Sequence, residues 1–212
     1  TNLMFMSTEE PIRKLVVTSA NPKEGKTTTV ISIGTVMAQS GTRVLLVDTD
    51  MRRPRMHQAW NVENRVGLSS ILLGESTADE AIQETGVPNL DLLPCGPIPP
   101  NPTELMLTDR FKKVVDQLGE NYDRVIFDTP PVTPVTDASI LGSMTDGVVV
   151  VVKAGKTRKE LLRKTVESLD NVQANIVGAI LNDVDLTNRR HGYYYYYYSY
   201  YRSYGSYYGD GD

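Results

Sequence analysis

A chain of 212 residues, 40% apolar and 23% charged, has the length and balance of one α/β domain with a core of its own. Its formal net charge of −4, with basic residues dispersed apart from Arg52-Arg53-Arg55 and Arg189-Arg190, gives no global attraction to nucleic acid or an anionic membrane. The lone Cys95 excludes an intrachain disulfide and suits a reducing compartment, and no apolar run approaches the ~20 residues that cross a bilayer.

In chain order, Leu3-Met4-Phe5-Met6 reads as the end of an apolar helix face, in a chain that opens at Thr1 without methionine and without a signal peptide. We therefore expect a fragment or processed product, with any membrane segment upstream. Short β-branched runs predict strands at 15–18, 44–47, 90–93, 125–127, 148–152 and 176–181, several of them apolar throughout. Helical periodicity predicts helices at 26–39, 103–118 (with a candidate break near Thr108), 137–143 and 158–170, Gly41 stopping the first. The turn-rich run 94–102 is expected to be an ordered loop or linker. Alternation of strand and helix predicts a doubly wound, mostly parallel sheet flanked by helices over residues 1–188, and Gly25-Lys26-Thr27 between its first strand and first helix marks it as P-loop NTPase-like. After Asn188 the pattern stops. Residues 189–212 contain only Tyr, Ser, Gly, Arg, Asp and one His, which predicts a disordered tail.

The segment Ala20-Asn21-Pro22-Lys23-Glu24-Gly25-Lys26-Thr27-Thr28 lies between a predicted strand and a predicted helix, the context that a P-loop needs. Asn21, Pro22, Lys23, Glu24, Gly25, Lys26, Thr27 and Thr28 are read as a nucleotide cradle. Backbone N–H groups wrap the β-phosphate, Lys26 bridges β- and γ-oxygens, and the Thr27 hydroxyl ligates Mg²⁺. Ala20 stands where the general pattern has its first Gly. Two further strands end in carboxylates, Asp48-Thr49-Asp50 and Asp128. In an open parallel sheet such ends gather at the ligand side, and an extended chain puts Asp48 and Asp50 on one face.

Eleven of the twelve tyrosines lie in the tail: Tyr193, Tyr194, Tyr195, Tyr196, Tyr197, Tyr198, Tyr200, Tyr201, Tyr204, Tyr207 and Tyr208. Segments 19–29, 44–54 and 125–131, with Pro99-Pro100-Asn101-Pro102-Thr103-Glu104 and the tyrosine cluster, resemble the bacterial tyrosine kinases of capsule and exopolysaccharide export. The resemblance spans nearly the whole chain. It implies ATP- and Mg²⁺-dependent autophosphorylation of the tail tyrosines, usually in trans within a ring of subunits, at the cytoplasmic face of the membrane. It also implies a transmembrane activator segment, upstream or on a separate chain, a protein-tyrosine phosphatase as counterpart, and no nucleic acid. Carried over residue by residue, it implies Lys26, Asp48 and Asp50 for catalysis, Thr27, Asp50 and Asp128 for the metal, and Asn182 for adenine. The family's N-terminal Glu-x-x-Arg-x-x-Arg contact helix has no match before Lys14, so a weaker ring is expected.

A phenol with a pKa near ~10 is mostly protonated at neutral pH, and phosphoryl transfer needs mainly alignment and charge neutralisation. Asp48 is the first choice to orient the hydroxyl, with Asp50 the alternative; the other, with Asp128, holds Mg²⁺. Arg52, Arg53 and Arg55 are read either as phosphate-steadying groups or as a solvated turn. Each phosphate adds roughly −1.5 to −2 charges, so phosphorylation is expected to loosen assembly. A partitioning-type ATPase is the rival, but its signature lysine is replaced here by Asn21. A nonenzymatic adaptor with an aromatic tail is the other rival.

Overall fold

The computed structural model describes residues 12–185. The chain divides into a unit of Thr1–Asn182 and another of Asp183–Asp212, and the architecture is that of the first. The tail and its eleven tyrosines lie outside the described residues.

Seven strands form one sheet: β1 (Lys14–Ser19), β2 (Val44–Asp48), β3 (Gln83–Glu84), β4 (Leu90–Leu93), β5 (Arg124–Asp128), β6 (Gly147–Lys153) and β7 (Ile176–Asn182), in the spatial order β3-β4-β2-β5-β1-β6-β7. Every pairing is parallel except that of β3 with β4. Eight helices accompany them among the described residues: α1 (Lys26–Gln39), α2 (Met56–Trp60), α3 (Leu68–Leu73), α4 (Ala78–Ala81), α5 (Pro102–Met106), α6 (Asp109–Asn121), α7 (Asp137–Gly142) and α8 (Lys159–Asp170).

The apolar strands are continuous runs because both sheet faces are covered. Alternate residues serve opposite cores. Val16, Leu45, Val47, Val125, Phe127, Val148 and Val150 pack with Phe111, Val115 and Leu118 of α6, Leu141 of α7 and Leu68 and Ile71 of α3. Their neighbours Leu15, Val17, Val44, Leu46, Ile126, Val149 and Val151 pack with Val30, Met37 and Ala38 of α1. Gly34 lets α1 lie close on the sheet, since a Cβ there would stand 2.5 Å from Leu46 Cδ2.

All six expected strands are present within a residue or two. The predicted helix 103–118 is two helices. The Thr108 side chain accepts a hydrogen bond from Phe111 N (3.2 Å) and so starts α6 anew. Run 94–102 is an ordered loop: the Pro94 and Cys95 carbonyls accept from Leu68 N and Ser69 N at 2.9 and 2.8 Å. Helices α2, α3 and α4 and strand β3 are additional. For α4 a signal existed in Thr77-Ala78-Asp79-Glu80, where Thr77 and Glu80 form a capping box.

Candidate functional site

Strand β1 lies between β5 and β6, and the loop that follows it opens at the carboxyl edge of the sheet. Lys23 and Gly25 take positive φ values of 64° and 100°, which curl residues 20–25 before α1 begins. A Cβ at position 25 would strike the Asn182 amide at 2.0 Å, so only glycine fits. Helix α1 has no side-chain cap and no acidic residue in its first turn. Its first amides are therefore open to an anion. Pro22, assigned to the cradle from sequence, has no N–H to give.

Lys26 is only 8% exposed, and its Nζ donates to Ser19 Oγ at 3.1 Å. Burial lowers its pKa, against the pull of Asp128, Asp50 and Glu24. The Thr27 hydroxyl donates to Asp128 Oδ2 at 2.5 Å, while Asp128 Oδ1 is buried with no hydrogen-bond partner. Burial and the nearby Asp48 carboxylate push Asp128 up to about 8, with Thr27 and Lys26 pulling the other way. An orphaned carboxylate oxygen beside a lysine, a threonine hydroxyl and free helix amides fits a nucleotide with its divalent cation. Among the described residues no three His, Cys, Asp or Glu side chains are arranged to hold a metal alone. Mg²⁺ is commonly held by one or two carboxylates plus substrate phosphates, a part that Asp128 with Thr27 could fill beside a bound nucleotide.

Asp48 and Asp128 face each other in register across β2 and β5. The expectation that Asp48 and Asp50 share a face of an extended chain needs correction. The chain turns at the end of β2, and Asp50 N donates back to Asp48 Oδ1 at 3.2 Å. Asp48 is fully buried, and its Oδ2 also accepts from Arg55 N and Met56 N, both at 3.0 Å. Burial raises it to about 6 against these bonds. Asp50 is half-buried, and its Oδ1 accepts from Arg52 N and Arg53 N at 3.2 and 3.0 Å. Thr49, at the same turn, donates through both N–H and hydroxyl to the Asp128 carbonyl, at 2.9 and 2.5 Å.

Several partners were not anticipated from sequence. Arg52 is exposed and also tied down on one side. Its Nε and Nη2 donate to the Asp137 carboxylate at 3.0 and 3.3 Å, and Nη2 donates to Thr103 Oγ1 at 2.7 Å. Thr103 in turn donates to Asp137 Oδ1 at 2.7 Å, and Asp137 is fully buried. The 99–104 motif thus acts through Thr103, clamping the turn after β2. On the opposite side, Glu24 accepts from Asn21 N (3.0 Å), Asn21 Nδ2 (3.2 Å) and Thr157 Oγ1 (2.5 Å). Its carboxylate is a brace inside the loop. Asn182 Nδ2 donates to the Glu24 carbonyl at 2.9 Å, so that amide holds the loop as well as standing near it. Tyr122, the one tyrosine outside the tail cluster, is half-buried and donates to Asp91 Oδ2 at 2.9 Å.

The described part of this arrangement matches known proteins. The family model of the AAA domain covers residues 14–182. The tyrosine-protein kinase YwqD of Bacillus subtilis (strain 168) is 44% identical over 195 residues, spanning 92% of this chain and 82% of that protein. The solved kinase domain of the Escherichia coli tyrosine kinase ETK superposes with a TM-score of 0.83 at 35% identity, over 86% of this chain and 71% of that one. The septum site-determining protein MinD of Pyrococcus horikoshii OT3, solved with Mg-ADP, shares the fold with a TM-score of 0.68 at 22% identity, over 80% of this chain and 69% of that one.

Proposed function

The chain belongs to the bacterial tyrosine-protein kinases, and from that premise we propose that it phosphorylates the C-terminal tyrosines of a second copy of itself. ATP is the donor and Mg²⁺ the cofactor. One observation supports this most: the Lys26–Thr27–Asp128 constellation occurs in a chain that gathers eleven of its twelve tyrosines between Tyr193 and Tyr208.

Asn21, Lys23, Glu24, Gly25 and Thr28 shape or present the loop, and Lys26 would meet the β- and γ-phosphates. Thr27, Asp50 and Asp128 are the groups that would hold Mg²⁺, and Asn182, whose amide donates to the Glu24 carbonyl, is the residue we assign to adenine. Bound Mg²⁺ supplies neutralisation of the charge that spreads over the phosphoryl oxygens. In the transfer, the bond from the γ-phosphorus to the β–γ bridging oxygen breaks and one to the phenolic oxygen forms. The phenol's proton passes to a carboxylate. Asp48 was the first choice from sequence, but its oxygens accept three backbone N–H bonds inside the core. Asp50, half-buried at the open side, is the group we assign to the hydroxyl, with Asp48 holding the turn. Asp50 would then serve both the hydroxyl and the metal.

In this reading the active form is a ring-like homo-oligomer at the cytoplasmic face of the membrane, switched on by a transmembrane activator and reset by a phosphatase. Its phosphorylation state regulates capsule or exopolysaccharide synthesis and export. No helix of the described residues is long and apolar enough to cross a membrane. The test is to incubate the full chain with ATP and Mg²⁺ and measure the intact mass of a proteolytic fragment spanning 189–212. Phosphate-sized increments are expected; an unchanged mass overturns the proposal. Mixing wild type with mass-labelled Lys26→Met chains separates trans from cis transfer, because only trans transfer modifies the labelled chains.

A further inference from the structure

We propose that an open cleft beside the catalytic turn binds phosphotyrosine already placed on the tyrosine cluster of a second copy, and so holds that tail while a neighbouring tyrosine reacts. This rests on the reading that the tail is the acceptor, and it adds a second, noncatalytic seat for it.

The cleft, of about 670 Å³, runs between Arg53, Pro54, Arg55 and His57 on one side and Asn64 and Ile98 on the other. Its floor is fixed. Asn64 Nδ2 donates to the Gly96 carbonyl at 3.0 Å and Asn64 Oδ1 accepts from Gly96 N at 2.8 Å. Gly96 has φ of 82°, and a Cβ there would lie 2.6 Å from Ser69 Oγ. The opposite wall is fixed too, because Arg53 N and Arg55 N are held by the carboxylates of Asp50 and Asp48 at 3.0 Å each. The walls are rigid while the two guanidiniums are exposed. Among the described residues the ion pairs involve Lys14, Arg43, Arg52 and Arg65, and neither Arg53 nor Arg55. Of the three arginines in this run, one is structural and two are presented to the cleft. His57 Nδ1, in the same wall, is buried without a hydrogen-bond partner.

The chemistry of this wall matches one ligand class. Two guanidiniums lining one cleft suit the several oxygens of a phosphate better than a lone carboxylate. Ile98, 60% exposed, together with Pro54 and Pro97, offers apolar surface to a phenol ring. The occupant follows from charge and spacing. An unmodified tail brings no concentrated negative charge, whereas each phosphotyrosine brings roughly −1.5 to −2. Six tyrosines are consecutive from Tyr193 to Tyr198. In an extended chain a residue two or three places away lies roughly 7–10 Å off. Asp50 and Arg53 belong to one turn, so a phosphate in the cleft and a hydroxyl at the catalytic carboxylate can come from one tail. A lightly phosphorylated tail is then retained. Repulsion from Asp48 and Asp50 prevails only when its charge outgrows two arginines.

The experiment uses dephosphorylated full-length protein with saturating ADP and Mg²⁺. Fluorescent peptides spanning 189–212 are titrated in, either unmodified, phosphorylated at Tyr197 and Tyr198, or carrying glutamate at those two positions. The phosphopeptide is expected to bind at least ~10-fold more tightly than both others, the scale of charge-assisted hydrogen bonds. That preference is expected to vanish in the Arg53→Gln/Arg55→Gln variant. Equal binding of all three peptides, equal binding of the glutamate and phosphate forms, or a preference that survives in the variant overturns the proposal. Should the variant's melting temperature fall, hydrogen–deuterium exchange on wild type decides. Protection by the phosphopeptide at 53–58 and 96–98 supports the cleft, and protection confined to 21–28 refutes it. Because the phosphate is synthetic, a protein unable to phosphorylate itself still gives a clear answer here.

Discussion

The phosphate loop and the turn after β2 flank the same carboxylates but are built on opposite plans. Between Ala20 and Thr27 every brace is turned inward: Glu24 is 3% exposed and gathers Asn21 and Thr157, Asn182 grips the Glu24 carbonyl, and Lys26 is buried on Ser19. Between Asp48 and Met56 the braces lie beneath, where Asp48 and Asp137 are fully buried, and the outer side chains Asp50, Arg53 and Arg55 are left facing out. A ligand of one fixed shape, a nucleotide polyphosphate, suits preorganised donors. A set of interchangeable tyrosines needs a firm backbone with adaptable side chains. The difference separates what the site holds rigidly from what it presents.

The largest expected effect is on the loop. Lys26→Met should lower tail phosphorylation at least ~100-fold, the scale of removing one donor aimed at developing charge. It should not lower the melting temperature, because a desolvated ammonium is being replaced by an apolar chain of similar length. Quantitative phosphotyrosine detection and calorimetry check the two halves.

Next come the two aspartates, which should break in different ways. Asp50→Ala is expected to cost about 100-fold in transfer rate with melting within ~2 °C of wild type, since its amide partners can turn to water. Asp48→Ala leaves three backbone donors, one buried and two partly buried, without their acceptor. It should cost roughly 1–3 kcal/mol, at about 2–4 °C per kcal/mol for a domain of this size. If Asp50→Ala melts lower than Asp48→Ala, the assignment of roles is reversed.

Arg52 and Arg53 sharpen the contrast within the turn. Arg52→Ala strands the buried Asp137 carboxylate with Thr103 alone. About 1–3 kcal/mol is expected, below the ~3–5 kcal/mol of breaking a fully buried pair, because the Arg52 side chain is 38% exposed. Arg53→Ala should change stability by less than ~0.5 kcal/mol. Denaturant titration of both variants is the measurement. The smallest effect belongs to Thr157→Ala, which removes one donor from Glu24. It should cost about 0.5–1.5 kcal/mol and raise the KM for ATP a few-fold, with kcat nearly unchanged.

Strand positions were legible because parallel strands buried on both faces are apolar throughout, and Gly25-Lys26-Thr27 after such a strand leaves little choice. The short elements were not. Helices α2 and α3 have five and six residues, too few for a periodic pattern to stand out. The role of Arg52 was hidden for a different reason: its partner Asp137 lies 85 positions away, and nothing local in the sequence links the two. The choice between Asp48 and Asp50 was equally out of reach, because spacing along an extended strand says nothing of where the strand ends.

The sequence by itself determined the fold class, the phosphate loop and the chemical pairing of that loop with a tyrosine-rich end, because those depend on local residue types and short spacings. Tertiary structure alone decided which carboxylate is buried and which is open, which arginine is bound and which two are presented, and what braces Glu24. Those outcomes depend on groups brought together from distant strand ends, where burial and hydrogen-bond partners, and not residue type, set what a side chain can do.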